Sequence, residues 1–430
     1  MKKILLFAVM LLQMQFVFAQ FTDTINEHES RRIISYLASD SLKGRGNITT
    51  DLVTAAKFIG AEFSKAGLQV WPGAISYHVP FHPWGGDGRI VMDELFSKRK
   101  KIPPDQFLYL HPVPGDYPEK VLSDFKLVKI ETAFTNDILE DFVTDTAALL
   151  LLTDKMQPDG KKFLPDSIKI PVGGLKHDRL LLSTTRSLPD LSLTSFPSQY
   201  LTTEYNVVGV LPGHSKPDEI VMFSAHYDHV GLFGHKGDTI LNGANDDASG
   251  TTALILLAKY FAMKNDNART ILFCAFAGEE DGLLGSKDFA EHIDSSKIVA
   301  GINIEMIGIP QYGKNKLVII GRKYSNLPRT LEKGLKQKGI STVVEPSEKK
   351  QLFQRSDNYS FALKGIPYHT LMASDDDDRC YHKPCDEVKR IDIANMTRII
   401  KGIAAAVAPL VNGDATPRRI NPKDVKLKDE

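Results

Sequence analysis

The stretch IVMFSAHYDHVG at 220–231, followed by NGANDDASG at 242–250, RTILFCAFAGEEDGLLGS at 269–286 and AGINIEMIG at 300–308, decides how this chain is read. Each segment carries a His, Asp or Glu at, or just beyond, the end of a short apolar run. His226 follows Ile220–Ala225, Glu279 and Glu280 follow Ile271–Ala277, and Glu305 closes Ile302–Ile304. Apolar runs of this length, separated by helical patterns, predict buried strands of a mainly parallel sheet. In open α/β sheets the ligand crevice lies outside the carboxyl ends of the strands. Imidazole and carboxylate groups therefore converge on one edge, and that convergence predicts a metal site.

Outward from this core, Asn206–Leu211 and Ile220–Ala225 read as adjacent strands. Asp247–Met263 reads as a helix capped by Asp247 or Ser249, with Leu254, Leu257, Ala258 and Phe261 on its apolar face. Thr270–Phe276, Gly301–Glu305, Lys316–Ile320 and Ile366–Met372 read as strands. Leu283–Glu291, Leu327–Lys338, Ser356–Leu363 and Arg390–Val411 read as helices, and the polar tail from Asn412 reads as mobile. Upstream, Asn26–Ser39 and Thr50–Leu68 have helical spacing, Asp40–Asn47 is a turn-rich loop and Ile75–Phe81 a strand. Residues 82–202 differ: Pro and Gly punctuate them, and apolar runs such as Ala147–Leu152 and Ile168–Val172 lie scattered between loops. The expected fold class is α/β, a three-layer sandwich with a mixed, mainly parallel sheet between helices and an inserted smaller subdomain. The expected divisions are 1–19, 20–81, an inserted or lid subdomain at 82–202, a catalytic domain at 203–412 and a tail at 413–430.

Net charge is zero with 25% charged residues, so the chain carries no electrostatic footprint for nucleic acid. Lys2 and Lys3 precede an apolar run to Phe18, and Val17-Phe18-Ala19 offers a cleavage signal. Residues 1–19 thus read as a secretory signal peptide, and the chain as exported, periplasmic or secreted. No later stretch reads as long enough to span a membrane. Cys274 falls inside an apolar strand and reads as a reduced core residue. Cys380 and Cys385 bracket Tyr-His-Lys-Pro and are a disulfide candidate in an oxidising compartment.

His226, Asp246, Glu280, Glu305 and His382 are the candidate metal ligands, since zinc takes imidazole nitrogen and carboxylate oxygen. Asp228 stands where it can accept the His226 N–H, and Glu279 where it can act as general base. His229, His235 and His369 are assigned no metal. Asp375–Asp378 reads as a solvated acidic loop, with weak calcium binding as the alternative.

The order His-x-Asp, Gly-x-x-Asp-x-x-Ser-Gly, Glu-Glu-x-Gly-x-x-Gly-Ser, Asn-x-Glu-Met-Ile-Gly and a late Tyr-His-x-Pro-x-Asp resembles the co-catalytic zinc aminopeptidases, bacterial leucyl aminopeptidases among them. That family also holds glutamate carboxypeptidase-type enzymes, glutaminyl cyclases and the inactive transferrin receptor ectodomain. The resemblance covers roughly residues 200–411, with a lead-in at 28–81. It implies two zinc ions per chain: Asp246 bridging, His226 and Glu305 completing one ion, Glu280 and His382 the other. Glu279 would take a proton from the bridging water and deliver it to the leaving amine, and Asp247 would be a helix cap. In Arg355-Ser356-Asp357, Asp357 would hold substrate or support the sheet edge, with Asn358 where the family commonly has His. Glu305 is a second departure, because the family usually places the shorter Asp there.

The resemblance therefore implies an exported di-zinc aminopeptidase acting on peptides with a free N-terminus, with no nucleic-acid partner and no stable membrane insertion. The alternatives are a single-zinc glutaminyl cyclase, which would release ammonia from N-terminal Gln, and a non-catalytic binding protein on the same fold.

Overall fold

The computed structural model describes residues 24–82, 203–232 and 237–426, together with the backbone of strands between 94 and 194. The chain divides into two units, Met1–Phe81 with Tyr205–Glu430, and His82–Glu204.

The first unit is built on one sheet. Its strands are β1 (Gln69–Val70), β2 (His78–Phe81), β3 (Glu204–Leu211), β4 (Lys216–His226), β5 (Arg269–Phe276), β6 (Ile298–Ile304), β7 (Lys316–Ile319), β8 (Ser341–Thr342) and β9 (Tyr368–Met372). Their spatial order is β1-β3-β5-β4-β6-β9-β7-β8, and β2 also pairs with β3. The central strands β5, β4, β6 and β9 run parallel. β3 meets β5, and β7 meets β9, in antiparallel fashion. The sheet is thus mixed and mainly parallel at its centre, as expected. One neighbour relation differs: β3 and β4 are not adjacent, because β5 lies between them. Every residue of β5 is buried, so this strand needs a neighbour on each edge and cover on both faces.

Helices cover both faces. They are α1 (Glu27–Leu37), α2 (Thr50–Lys65), α3 (Ser249–Lys264), α4 (Leu284–His292), α5 (Leu327–Gln337), α6 (Asn358–Ala362) and α7 (Ile393–Ala406). The period-two alternation of β4 sends Val221, Phe223 and Ala225 to one face, where Leu254, Leu257 and Phe261 of α3 pack with Ile400 and Ile403 of α7. Met222 faces the other way, among Leu272, Cys274, Phe276, Phe289 of α4 and Phe361 of α6. Phe223 stacks on Phe273 with ring centroids 5.5 Å apart; burying one such ring contributes about 1.5–3 kcal/mol. Cys274 is buried and unpaired.

This winding positions the site. From β4 the chain crosses by α3 to β5 on one side, then returns by α4 to β6 on the other side of β4. Connections leaving neighbouring strands in opposite directions open a crevice at their carboxyl ends. His226 ends β4 and Glu305 follows β6 at that crevice.

The carboxyl-terminal part departs from the sequence reading three times. Arg390–Val411 is not one helix: α7 ends at Ala406, and a short turn of helix, Ala408–Val411, restarts around Pro409, whose missing N–H cannot continue the ladder. By length and composition Ile393–Val411 could cross a membrane, contrary to expectation, yet most of it is buried within this unit. The tail is docked as well. The buried Arg269 guanidinium donates to Leu410 O at 2.8 Å, Ala415 O at 2.5 Å and Thr416 Oγ1 at 2.5 Å. Ile420 and Val425 are buried beyond it.

The second unit holds two four-stranded sheets. One orders Lys100–Lys101, Glu94–Ser97, Leu191–Thr194 and Lys120–Val121; the other orders Phe107–Leu110, Arg179–Ser183, Leu149–Thr153 and Lys126–Ile130. The apolar run Ala147–Leu152 overlaps the strand at 149–153. Ile168–Val172, the signal-peptide segment and His235 lie outside the described residues.

Candidate metal centre

His226 stands at the buried end of β4, fixed by the sheet. Its Nδ1 lies 3.2 Å from the backbone oxygen of Asp228. A carbonyl only accepts, so in the neutral ring Nδ1 carries the hydrogen and Nε2 presents its lone pair. That Nε2 lies 3.2 Å from Asp246 Oδ1. On the other side of the same carboxylate, His382 Nε2 lies 3.2 Å from Asp246 Oδ2 and 3.0 Å from Glu280 Oε2. Both Nε2 atoms are buried and neither has a hydrogen-bond partner of acceptable geometry. Buried polar atoms are almost always paired, so two imidazole nitrogens left open toward one carboxylate are what a cation requires.

Asp246 is delivered by an irregular turn, Ala244–Ala248, ahead of α3. Gly243 opens the turn at φ +57, and a Cβ there would lie 2.2 Å from Asp246 O, so only glycine fits. The Asp246–Asp247 peptide bond is cis. Asp247 accepts from Gly250 N and Met306 N, each at 2.9 Å, and stands one residue ahead of the N-cap Ala248, so it ties the first turn of α3 to the end of β6 rather than capping the helix itself.

Asp228 does something other than hold His226. Its carboxylate is 3.6 Å from His226 Nδ1, but it accepts from Glu279 N and Glu280 N at 3.3 Å each and from Asn47 Nδ2 at 3.1 Å. It therefore orients the turn that carries both glutamates, and the backbone carbonyl takes the imidazole N–H instead.

Glu305 lies near the cavity floor, with Oε2 accepting from Ser356 Oγ and, at 3.4 Å, from Asn303 Nδ2. Neither Glu305 nor His226 belongs to the donor cluster His229, Asp246, Glu280 and His382, whose ligand atoms lie within 4.8 Å of one another. His229, to which the sequence assigned no metal, thus joins the site: its Nδ1 is 2.7 Å from Glu280 Oε1 and 3.8 Å from Asp246 Oδ2. Its place three residues after His226, in a loop leaving a buried strand, was the available signal.

The electrostatics follow from burial. Burial pushes the Glu279 carboxyl well above the usual carboxylate range, the His226 ring opposes this, and Glu305 and Glu280 add to it. Burial works against charge on His382, but Asp246 and Glu280 outweigh it and raise the ring to about 10 in the cation-free protein. Asp246 is held well below its ordinary value; burial opposes this and is outweighed by His226 and His382.

A cavity of about 390 Å³ opens over these groups. Asp246, Glu279, Glu280, Glu305 and His382 line its polar floor, and Leu283, Met306, Leu352, Tyr359 and Met372 its apolar wall. Asp357 is absent from that lining and fully buried, with its carboxyl raised to about 6 by burial. It lies just ahead of the Asn358–Ala362 helix, which packs on the interior strands β9 and β6.

Three supporting residues lie in stretches the sequence reading singled out but gave no role. Arg45, from the Gly-Arg-Gly of the lead-in loop, is buried and donates to Tyr227 O at 2.8 Å, Asn242 O at 2.7 Å, Gly243 O at 3.0 Å and Leu37 O at 2.6 Å. It ties α1 to the backbone beside His226 and Asp246. Asp386 accepts from Asn245 N at 3.0 Å and Asp246 N at 3.1 Å. Asn47 joins Asp228 to Asp281.

Cys380 and Cys385 are bonded and close the loop that carries His382, a residue at φ +52. His369 is structural: its Nδ1 meets Ile320 O at 2.9 Å, and burial lowers it to about 4. The acidic run 375–378 is neutralised from within. Lys350 Nζ lies 3.0, 2.9 and 2.7 Å from Asp375, Asp376 and Asp377, and Arg390 pairs with Asp378 at 2.7 Å.

Residues 206–407 match Peptidase family M28. Aminopeptidase YwaD of Bacillus subtilis is 26% identical over 276 residues, 61% of this chain and 56% of its own length. A probable zinc metalloprotease of Pyrenophora teres f. teres is 40% identical over 106 residues, 24% of this chain and 22% of its own length. This chain thus spans less than two thirds of either relative. Among solved structures, BSAP, a zinc aminopeptidase from Bacillus subtilis, aligns with a TM-score of 0.58 at 17% identity, covering 94% of this chain and 99% of that one. That likeness concerns the fold. The motif order, the doubly wound sheet and the family match agree in making residues 206–407 of this chain similar to Peptidase family M28.

Proposed function

We propose that this chain is an exported zinc aminopeptidase that removes the N-terminal residue of peptides. The observation that carries the reading is the Asp246 carboxylate with His226 Nε2 and His382 Nε2 each 3.2 Å away, both nitrogens buried and neither with a hydrogen-bond partner of acceptable geometry. In this reading Asp246 would hold zinc together with His226 and Glu305 on one side and with Glu280 and His382 on the other. Zinc, when bound, supplies Lewis-acid polarisation of the scissile carbonyl and makes water acidic enough to attack near neutral pH.

The chain's own groups do the rest. Glu279 is buried beside the cavity floor, where its raised proton affinity suits it to take a proton from the attacking water and return it to the leaving amine. Asp228 orients Glu279 through the backbone. The carboxylates of the cavity floor favour a cationic α-amine, and the apolar wall favours an apolar N-terminal side chain. Export rests on the Lys2-Lys3 and apolar pattern of the first 19 residues.

The test pairs zinc content of the purified chain with release of the N-terminal residue from leucyl peptides. Chelation should abolish release and zinc should restore it. Release from N-acetylated peptide at the same rate would sink the aminopeptidase reading. The second reading, a single-zinc cyclase, is favoured by the compact cluster that omits His226 and Glu305. One zinc per chain, with ammonia released from N-terminal Gln peptides, would decide for it.

A further inference from the structure

A polar chain runs beneath Glu305 through the core of the sheet. Tyr368 OH on β9 donates to Ser224 Oγ on β4 at 2.8 Å, and Ser224 Oγ donates to Asn303 Oδ1 on β6 at 2.6 Å. Asn303 Nδ2 donates to Ser356 Oγ at 2.7 Å, and Ser356 Oγ donates to Glu305 Oε2. Tyr368, Ser224 and Asn303 are wholly buried and Ser356 is 2% exposed. The donors from Tyr368 to Ser356 run in sequence toward Glu305, and Asn303 Nδ2 also donates to Thr370 Oγ1 at 3.3 Å as a side branch. The Asn303 amide has one acceptable orientation, since the flipped form would set its oxygen against the Glu305 carboxylate.

A buried polar chain needs a reason to persist where valine or leucine would pack at less cost. The fold also gives up volume for it. A Cβ on Gly301 would lie 2.1 Å from the Tyr368 ring, so β6 carries no side chain where that ring enters, and Phe361 stacks on it at 4.8 Å. Glu305 is one methylene longer than the Asp usual at this position, so its carboxylate has an extra torsion to hold. Both of its described hydrogen bonds fall on Oε2, and none engages Oε1, while Glu305 lines the cavity.

We propose that Tyr368, Ser224, Asn303 and Ser356 form a directed hydrogen-bond chain that positions Glu305, anchoring Oε2 so that Oε1 alone is offered to a divalent cation. Ser356 and Asn303 are positioning residues acting through Glu305, and Tyr368 acts at the far end of the chain. This rests on Glu305 being a metal ligand in the proposed function.

The experiment is zinc dissociation measured by chelator competition on the full chain, with thermal unfolding of each metal-free variant alongside. Glu305→Ala should remove the weaker of two ions. Ser356→Ala should weaken that ion about 10–100-fold, as loss of a group supporting a ligand does, and leave the tighter ion unchanged. Ser356→Thr, which keeps the hydroxyl, should restore it. Tyr368→Phe keeps the ring stacking and removes only the terminal donor; it should weaken the same ion by a smaller factor, roughly threefold. If Glu305→Ala costs an ion while Ser356→Ala and Tyr368→Phe leave both dissociation constants unchanged, the positioning chain is overturned and the ligand assignment stands. If Glu305→Ala keeps both ions, the ligand assignment fails and takes the inference with it. Should Ser356→Ala not fold, Tyr368→Phe carries the test alone.

Discussion

The two halves of the proposed metal centre are built in different ways. The His226–Glu305 half sits at the ends of β4 and β6, at 1% and 9% exposure, and is braced by sheet hydrogen bonds and the Ser356–Asn303 network. The Glu280–His382 half stands on loops, and the His382 side chain keeps 35% of its surface exposed. That loop has no strand to lean on, so the Cys380–Cys385 bond and the contacts of Asp386 do the corresponding work. One half is held by the fold's hydrogen-bond ladder and the other by a covalent clip and a capping carboxylate. Rigidity at a site can therefore come from different sources on its two sides, and each side should fail under a different insult.

The largest expected effect falls on the group between the halves. Glu279→Gln should lower kcat by about 1,000-fold, within the range for loss of a general base, while metal content stays unchanged. Unchanged turnover would remove Glu279 from the chemistry and leave both halves as metal holders only.

Next comes the brace common to His226 and Asp246. Arg45→Ala strands the carbonyls of Tyr227, Asn242 and Gly243 and takes a cation from beside Asp228 and Asp246. It should cost about 3–5 kcal/mol of stability, read as a fall in the denaturation midpoint. A variant as stable as the parent would show that water replaces the guanidinium.

The clip gives the sharpest separation of the halves. Cys380→Ser with Cys385→Ser should weaken the ion on the His382 side about tenfold, on the scale of lost ligand support, and spare the His226 side. Equal weakening of both ions would erase the distinction drawn above.

The smallest effect is a proton count. The His382 ring, raised to about 10 in the cation-free protein, contributes stability that is complete below about 6.5, its ordinary value. That contribution is lost as pH rises through about 10. At neutral pH an arriving cation must displace that proton, so zinc binding should release about one proton from the His382 side. Calorimetry in buffers of different ionisation enthalpy reads this directly. No release in the parent, or the same release from His382→Ala, would mean that the ring is already neutral.

Much of the parallel core was legible because β4, β5 and β6 are buried on both faces and therefore appear as unbroken apolar runs ending in ligating residues. The motif order carried the site for the same reason, since each chemical group follows directly on a strand end. His229 was passed over because a lone His in a loop is usually structural, and nothing local reveals that Glu280 lies 2.7 Å from its ring. Asp357 was offered a substrate role because its neighbours fit a motif, but its complete burial depends on packing. The tail was read as mobile from its polarity, whereas buried Arg269, far away in sequence, holds it through its carbonyls.

The amino-acid sequence by itself determined the mainly parallel character of the sheet, the edge on which the chemistry gathers and the order along the chain of the groups at that edge. These are local properties, set by apolar period, strand length and the residue that follows each strand. Only the tertiary structure decided that β5 separates β3 from β4, that Asp228 serves the Glu279–Glu280 turn more than His226, and that Arg45 and the Tyr368–Ser356 chain support the site. Those contacts join residues far apart along the chain, and their partners are set by which buried polar group must find a hydrogen bond once the core has closed.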